Sequence, residues 1–153
     1  MTTDVIYDCM TDLQTRVQSI AAAQQITNVM MCFSTSDLET LIAGTPLPAV
    51  GVMYAGQTSY TSGSIHGTPK RSHNVGLASQ CRLSIILLMN SKVIFGQDNK
   101  PQSLITLKAI RDAIKDTTGP SGHFWKFVNE TPAGEQGSMI AWQQNWEIPI
   151  LLT

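Results

Sequence analysis

The chain has 153 residues, 42% of them hydrophobic, which suffices for one domain with a core and is too short for two. A formal net charge of -1 argues against a strongly basic nucleic-acid-binding protein. No stretch approaches the roughly 18 consecutive apolar residues of a membrane span, and the N-terminus lacks a basic leader region. We therefore expect one domain, residues 1–153, that stays in the cytosol of the cell that makes it.

The charges are distributed unevenly along the chain. Residues 1–47 carry five acidic residues against one arginine, whereas residues 70–126 carry nine basic residues against three acidic ones. Residues 127–153 add three glutamates. Folding can mix these blocks in space, or surfaces of opposite sign can meet between copies of the chain, and the sequence leaves both possibilities open.

The first third of the chain predicts a helix, a strand and a short helix. Apolar residues recur at three-and-four spacing from Thr3 to about Gln25, which is typical of one helical face. The apolar run Asn28–Phe33 predicts a strand. Next, Ser36 and Glu39 form a possible capping box for a short helix that Gly44 ends.

Two strands flank a long polar loop in the middle of the chain. The stretch LPAVGVMYAG places Val50, Val52 and Tyr54 on one strand face, and LASQCRLSIILLMN alternates before becoming apolar on both faces. Between them, the segment 56–76 holds four of the eleven glycines and two of the three histidines. We predict a hairpin with a long loop.

The last third predicts an amphipathic helix and a second hairpin. The helix spans Ser103 to Thr118, and Gly119-Pro120 ends it. We predict two strands, HFWKFVNE and SMIAWQQNWEIPILL, joined by the turn-rich segment TPAGEQG. Because Pro149 has no N–H, its strand should lie at a sheet edge or pair on one side only there.

This order of elements predicts an α+β fold, a mostly antiparallel sheet with an N-terminal helix and one long amphipathic helix packed on it. We expect the stripe on that helix to pack against the alternating apolar strand, with the tryptophans of the last strand beside them. The predicted core is Leu83, Ile85, Leu87, Leu104, Leu107, Ile110, Ile114, Trp142 and Trp146. The three cysteines are far apart and predict small buried side chains.

The loop 56–76 does not carry a recognisable chemical site. The spacing of His66 and His73 matches no known zinc-binding motif, and the spacing of the glycines matches no phosphate-binding motif. Lys70, Arg71 and His73 cluster, but Tyr60 is the only aromatic residue beside them, so a specific nucleic-acid site is not expected. We interpret the loop as an arm, a hairpin extension that reaches a partner.

No nucleophile, base or ligand set converges elsewhere in the sequence. None of the serines stands in GxSxG, His123 is followed by an aromatic strand, and Asp112 and Asp116 lie one turn apart on a polar helix face. We therefore expect no enzyme, no cofactor and no metal.

In its order of elements and the residue types of its strands, the chain resembles the tail terminator proteins of tailed bacteriophages, including the contractile-tailed, Mu-like group. The resemblance runs from the N-terminal helix through LPAVGVMYAG, the polar loop, CRLSIILLM and the long helix to the aromatic-rich terminal strands. It implies a structural virion protein, assembled in the bacterial host cytoplasm and located in the virion tail and neck.

As the resemblance implies, the partners would be other copies in a ring, expected to be a hexamer, together with the tail tube, the neck or connector proteins and, in contractile tails, the sheath. A ring built from one repeated contact needs two different complementary patches on each subunit. Two alternatives stay open: another neck or head-completion protein of the virion, and a small soluble binding module or hydrolase.

Overall fold

In a computed structural model, which describes residues 4–44, 46–59, 77–92 and 95–152, helices and strands alternate much as the sequence predicts. The described elements are α1 (Val5–Ala21), β1 (Asn28–Cys32), α2 (Thr35–Gly44), β2 (Ala49–Ser59), β3 (Leu77–Asn90), α3 (Gln102–Ile114), β4 (Lys126–Gln136) and β5 (Met139–Leu152). A single 3-10 turn, Gln97–Asn99, precedes α3.

The described strands form one five-stranded sheet in the order β1-β2-β3-β5-β4. β1 and β2 are parallel, and the other three neighbouring pairs are antiparallel. The predicted α+β fold with a mostly antiparallel sheet is therefore confirmed. β1 and β4 are the two edges, separated by four strand spacings, or about 19 Å.

Side chains at the start of each of the first two helices satisfy the free backbone N–H groups there. The Asp4 carboxylate accepts from the N–H groups of Ile6 and Tyr7 and caps α1. At α2, Ser34 Oγ accepts from the Asp37 N–H at 3.2 Å, while Asp37 Oδ2 accepts from the Phe33 N–H at 2.8 Å.

The predicted capping box of α2, Ser36 with Glu39, is therefore wrong by two residues. The same spacing occurs earlier in the chain as Ser34 and Asp37, which directly follow the end of β1 at Cys32. The helix starts at the first box that the chain reaches after the strand, because that box already satisfies the free N–H groups.

The main core lies on the sheet face that α1 and α3 cover, which we call the helix face. Its sheet residues come from the three central strands and, through Val29, from β1, and Trp125, just before β4, also belongs to it. Of the predicted core, Leu83, Ile85, Leu87, Leu107, Ile110, Ile114 and Trp146 are buried there, and Trp142 is partly buried against them.

Leu104 was predicted in this core, and the structure contradicts that prediction. Its side chain is 50% exposed, whereas Thr106 on the same helix is fully buried. The buried stripe is rotated toward Thr106, because its hydroxyl is satisfied by donating to Gln24 Oε1 at 3.2 Å and accepting from Gln102 Nε2 at 3.2 Å. With 100° per residue, that rotation leaves Leu104 on the solvent side.

The opposite sheet face, which we call the open face, is covered by α2 only at the β1–β2 end. Gly51 allows the helix to approach, because a Cβ there would lie 3.2 Å from Leu41 Cδ2. A second, smaller core fills this contact. It consists of Cys32, Leu41, Ala49, Ile86 and Leu88, with partly buried side chains around them.

The terminal hairpin is longer than the sequence predicted. Most of the expected turn TPAGEQG belongs to β4, which absorbs it through irregularities in the register at residues 127–129 and 132–134, and the chain reverses at residues 137–138. Bulges let a strand carry Pro132 and Gly134 without ending. Pro149 pairs with Gln80 of β3, and β4 pairing begins only at Glu147, so the one-sided pairing predicted for Pro149 is confirmed.

Candidate interaction surfaces

The loop residues that the sequence singled out, Tyr60, His66, Lys70, Arg71 and His73, lie outside the described residues. The structure therefore brings none of them to a described site, and the interpretation of the loop as an arm stays a prediction.

Within the described residues, the interior holds no recognisable reaction centre. No group of three His, Cys, Asp or Glu side chains there lies close enough to hold a metal ion. Cys9, Cys32 and Cys81 are buried free thiols, as the sequence predicted. Burial raises the pKa of Cys32, and a hydrogen bond with Cys81, followed by burial, raises the pKa of Cys9. Of the helices described, none is long and apolar enough to cross a membrane.

A buried polar network ties the edge strand β4 to the rest of the fold. Glu130 Oε1 accepts from Arg111 Nη1 of α3 at 2.6 Å and from Gln144 Nε2 of β5 at 2.8 Å. Gln144 also donates to the Leu107 carbonyl at 3.0 Å and accepts from Trp146 Nε1 at 3.2 Å. Since every named group has a partner, the network holds β4 in place and leaves its outer side to solvent.

Exposed aromatic side chains surround a recess at the β1 edge, which we call the acidic aromatic patch. Tyr7 of α1 and Phe33, just after β1, stack with 6.3 Å between ring centroids and a 5° interplanar angle, yet they remain 48% and 62% exposed. Together with Tyr54 they line a cavity of about 210 Å³. Asp4 also lines it, and no other charged residue does.

A second exposed cluster, which we call the basic aromatic patch, lies at the start of the other edge strand. It comprises Phe124, Lys126, Phe127 and Val128, with Phe124 64% exposed. Phe127 contacts the buried Trp146 edge to face, with 5.2 Å between centroids, so its ring is held in place. Lys126 is exposed and forms no ion pair with any residue that the structure describes.

The two patches lie on the same row of the sheet. The row runs from β2 to β4 and contains Tyr54, Leu83, Trp146 and Phe127. Phe33 directly follows Cys32, whose partner Met53 directly precedes Tyr54. Its middle is buried and its two ends are exposed aromatic side chains.

A groove of about 520 Å³ crosses the open face between α2 and β4. Leu38 and Ile42 of α2 form one wall, the β4 segment 133–136 forms the other, and Ile86 and Met139 are among the apolar side chains between them. Beside these, Ser84 and Gln143 supply polar groups, and Ser84 Oγ donates to Asn145 Oδ1 at 2.6 Å. The groove is thus mainly apolar with a polar strip.

Sequence analysis did not identify these three surfaces. It assigned interaction to the loop 56–76 because glycines and basic residues cluster there, and it treated the aromatic residues as strand formers. One signal was available: HFWKFVNE has apolar residues on both faces of a strand, and a strand at an edge cannot bury both. Its edge position, however, depends on the order of the strands, which the sequence pattern does not reveal.

No family model and no curated protein matches the chain. Among solved structures, a crystal structure from Akkermansia muciniphila is similar over 100% of this chain and 81% of the other, with 8% identity and a TM-score of 0.39. The core domain of a protein from the same organism gives 99% and 91% coverage, 9% identity and a TM-score of 0.37. A third structure from that organism is of a protein without its transmembrane region. It is similar over 100% of this chain and 89% of the other, with 8% identity and a TM-score of 0.32. Scores this low carry no argument on function.

Proposed function

We propose that the protein is a structural, non-enzymatic subunit of a bacteriophage virion, of the tail terminator type: a ring of copies that caps the tail tube and joins the tail to the neck. The proposal combines the resemblance in the order of elements with the surfaces of the fold. Its partners would be other copies of the chain, the tube and the neck proteins.

One observation carries the proposal: besides the separately exposed Phe95, Leu104 and Leu151, the described surface groups apolar side chains in three places. These are the acidic aromatic patch, the basic aromatic patch and the open-face groove. Apolar surface left uncovered on a subunit marks sites of interaction. A subunit in a ring at the end of a tube needs this arrangement, because it touches two ring neighbours and a further layer at once.

The three surfaces differ in chemistry, and each suits a different one of these contacts. The two patches differ in charge and lie at opposite sheet edges, so they suit contacts within a ring, where each subunit presents two different surfaces. The groove lies on the open face, away from both helices of the main core, and suits a contact with another protein layer. Its apolar lining favours a partner that inserts apolar side chains there.

The test is deletion of the coding gene in the phage genome that carries it, followed by electron microscopy of the lysate. We expect tails of irregular, excessive length that are not joined to filled heads, and recovery of normal tails when the gene is supplied in trans. Tails of normal length beside heads that leak DNA would instead identify a head-completion protein. Normal infectious particles would refute both virion functions.

The open-face groove also favours a second candidate, a small binding module. Its volume lies within the roughly 300–1,000 Å³ of small-molecule pockets, and a few polar groups lie beside its apolar lining. Native mass spectrometry of the purified protein tests this alternative. A small molecule bound at one per chain, lost on Met139→Glu in the groove but retained on the exposed change Leu104→Glu, would support a binding module.

A further inference from the structure

We propose that copies of this chain associate head to tail, with Lys126 of one copy, which shares a strand face with Phe124, seated in the acidic aromatic patch of the next copy. The inference deepens the proposed function, on which it rests for the ring itself, by naming the two surfaces that meet. The occupant of the patch is thus a second copy of the chain.

The acidic aromatic patch has the chemistry of a site for a cationic side chain. Three aromatic rings, those of Tyr7, Phe33 and Tyr54, line a recess of about 210 Å³, and the Asp4 carboxylate lies beside them. A lysine ammonium is attracted to the faces of aromatic rings and to a carboxylate, and a partly enclosed recess strengthens both attractions by excluding water. The two methionines that also line the recess suit the aliphatic stem of a lysine.

Most described cations are already held by acids of their own subunit. Arg16, Arg82, Lys108, Arg111 and Lys115 each form an ion pair.

Among the described basic residues, Lys92, Lys100 and Lys126 have no such pair. Of these three, Lys126 lies in the edge strand β4, two residues after the exposed Phe124 and on the same strand face, so it can bring apolar surface to the recess together with its charge. It lies opposite Glu147 in the register, and that carboxylate accepts from Arg82. Lys100 lies beside Asp98 in a different cavity, and Lys92 follows β3. Lys126 is therefore the cation that matches the patch best.

The positions of the two surfaces make the contact heterologous. They lie on opposite edges of the sheet, so in this contact one surface meets the other and not a copy of itself. A repeated heterologous contact closes into a ring when its rotation is a fraction of a full turn, and it otherwise gives a filament. The ring therefore rests on the proposed function, and the heterologous contact rests on the two surfaces.

Cross-linking tests the contact directly. Each chain would carry Thr35→Cys and His123→Cys, two exposed positions near the patches that leave Phe33 and Lys126 intact, and purified protein at high concentration would be treated with a short bis-maleimide. We expect a ladder that passes dimer and ends at the number of subunits in the ring. The native cysteines are buried, so they add little background. Each single variant is the matched control and can reach only dimer through a symmetric contact.

A charge variant tests the recognition. Lys126→Glu should weaken self-association in sedimentation velocity about tenfold or more, as expected when an attractive charge in an aromatic recess becomes repulsive. Lys92→Glu, which also changes an exposed lysine without an ion pair, should leave association within about twofold. Combining Lys126→Glu with Phe33→Arg should restore association, because it recreates a cation–anion pair across the contact with the signs exchanged.

The outcomes separate this inference from the proposed function. A ladder confined to dimer, or Lys126→Glu and Lys92→Glu weakening association equally, overturns the head-to-tail contact even if gene deletion still gives overlong tails. A full ladder from a protein whose deletion leaves tails normal supports the contact and refutes the tail function. An absence of any cross-linked product beyond the single variants also overturns the inference.

Discussion

Replacing Leu107 with alanine should cost about 2–5 kcal/mol of unfolding free energy. The side chain is 1% exposed and belongs to the cluster between α3 and the sheet. Three carbon atoms leave the core, and at about 0.8 kcal/mol per buried methylene the transfer cost alone is about 2.4 kcal/mol. The cavity that remains adds to this, because a packed sheet and helix relax only partly.

Leu104→Ala is the matched control, since it makes the same chemical change one turn earlier on the same helix. Because Leu104 is 50% exposed, its loss should cost less than about 1 kcal/mol. Urea unfolding followed by tryptophan fluorescence measures both variants, and an unchanged m-value shows that the midpoints report stability. Equal costs for the two variants, or a cost below about 0.5 kcal/mol for Leu107→Ala, would show that the stripe is misplaced.

Two further predictions concern the interior. Gln144→Leu should cost about 2 kcal/mol in the same urea assay, because it leaves the buried indole N–H of Trp146 without its acceptor and removes the donor to the Leu107 carbonyl and to Glu130. A change within about 0.5 kcal/mol would show that the network contributes little. A thiol reagent at pH 8 should label Cys9, Cys32 and Cys81 only after unfolding, because burial excludes the reagent. The raised pKa values of Cys9 and Cys32 also leave less thiolate at those two positions. Rapid labelling of any of the three in the native protein would contradict their burial.

Hydrophobic periodicity predicted the elements because it reflects burial directly. The alternation in β3 and the three-and-four spacing in α1 each bring apolar residues to one face, and the structure buries those faces. Errors arose where a polar side chain found a partner across the sequence. Thr106 is buried through Gln24, which lies 82 residues earlier, and no local pattern contains that pairing.

Turn residues were a weaker guide than periodicity. Pro132 and Gly134 made a turn the natural interpretation of TPAGEQG, yet β4 continues through them by bulging against β5. An edge strand tolerates such residues because its outer side has no ladder to break. The sequence could not reveal this, since it does not state which strand is at the edge.

The interaction surfaces depend on strand order in the same way. Tyr54 and Phe127 are far apart in the sequence, and they share a row only because β5 lies between β3 and β4. The charge blocks did carry part of the signal: the recess lies in the acidic first block, and Lys126 is the last base of the basic block. Sequence alone left open whether those blocks mix on folding. The structure mixes the basic block with the last block, because Arg82 pairs with Glu147 and Arg111 with Glu130.

The edge strand β4 explains why such a contact would use side chains rather than strand addition. Pro132 has no N–H, and the pairing register with β5 shifts beside Val128 and again beside Ala133, so the outer edge does not present a regular row of hydrogen-bonding groups. Glu130 and Glu135 add charge along the same strand. An edge protected in this manner resists indiscriminate pairing with other strands. The proposed association would then depend on Lys126 and on the exposed aromatic side chains near it, and Lys126→Glu should break it.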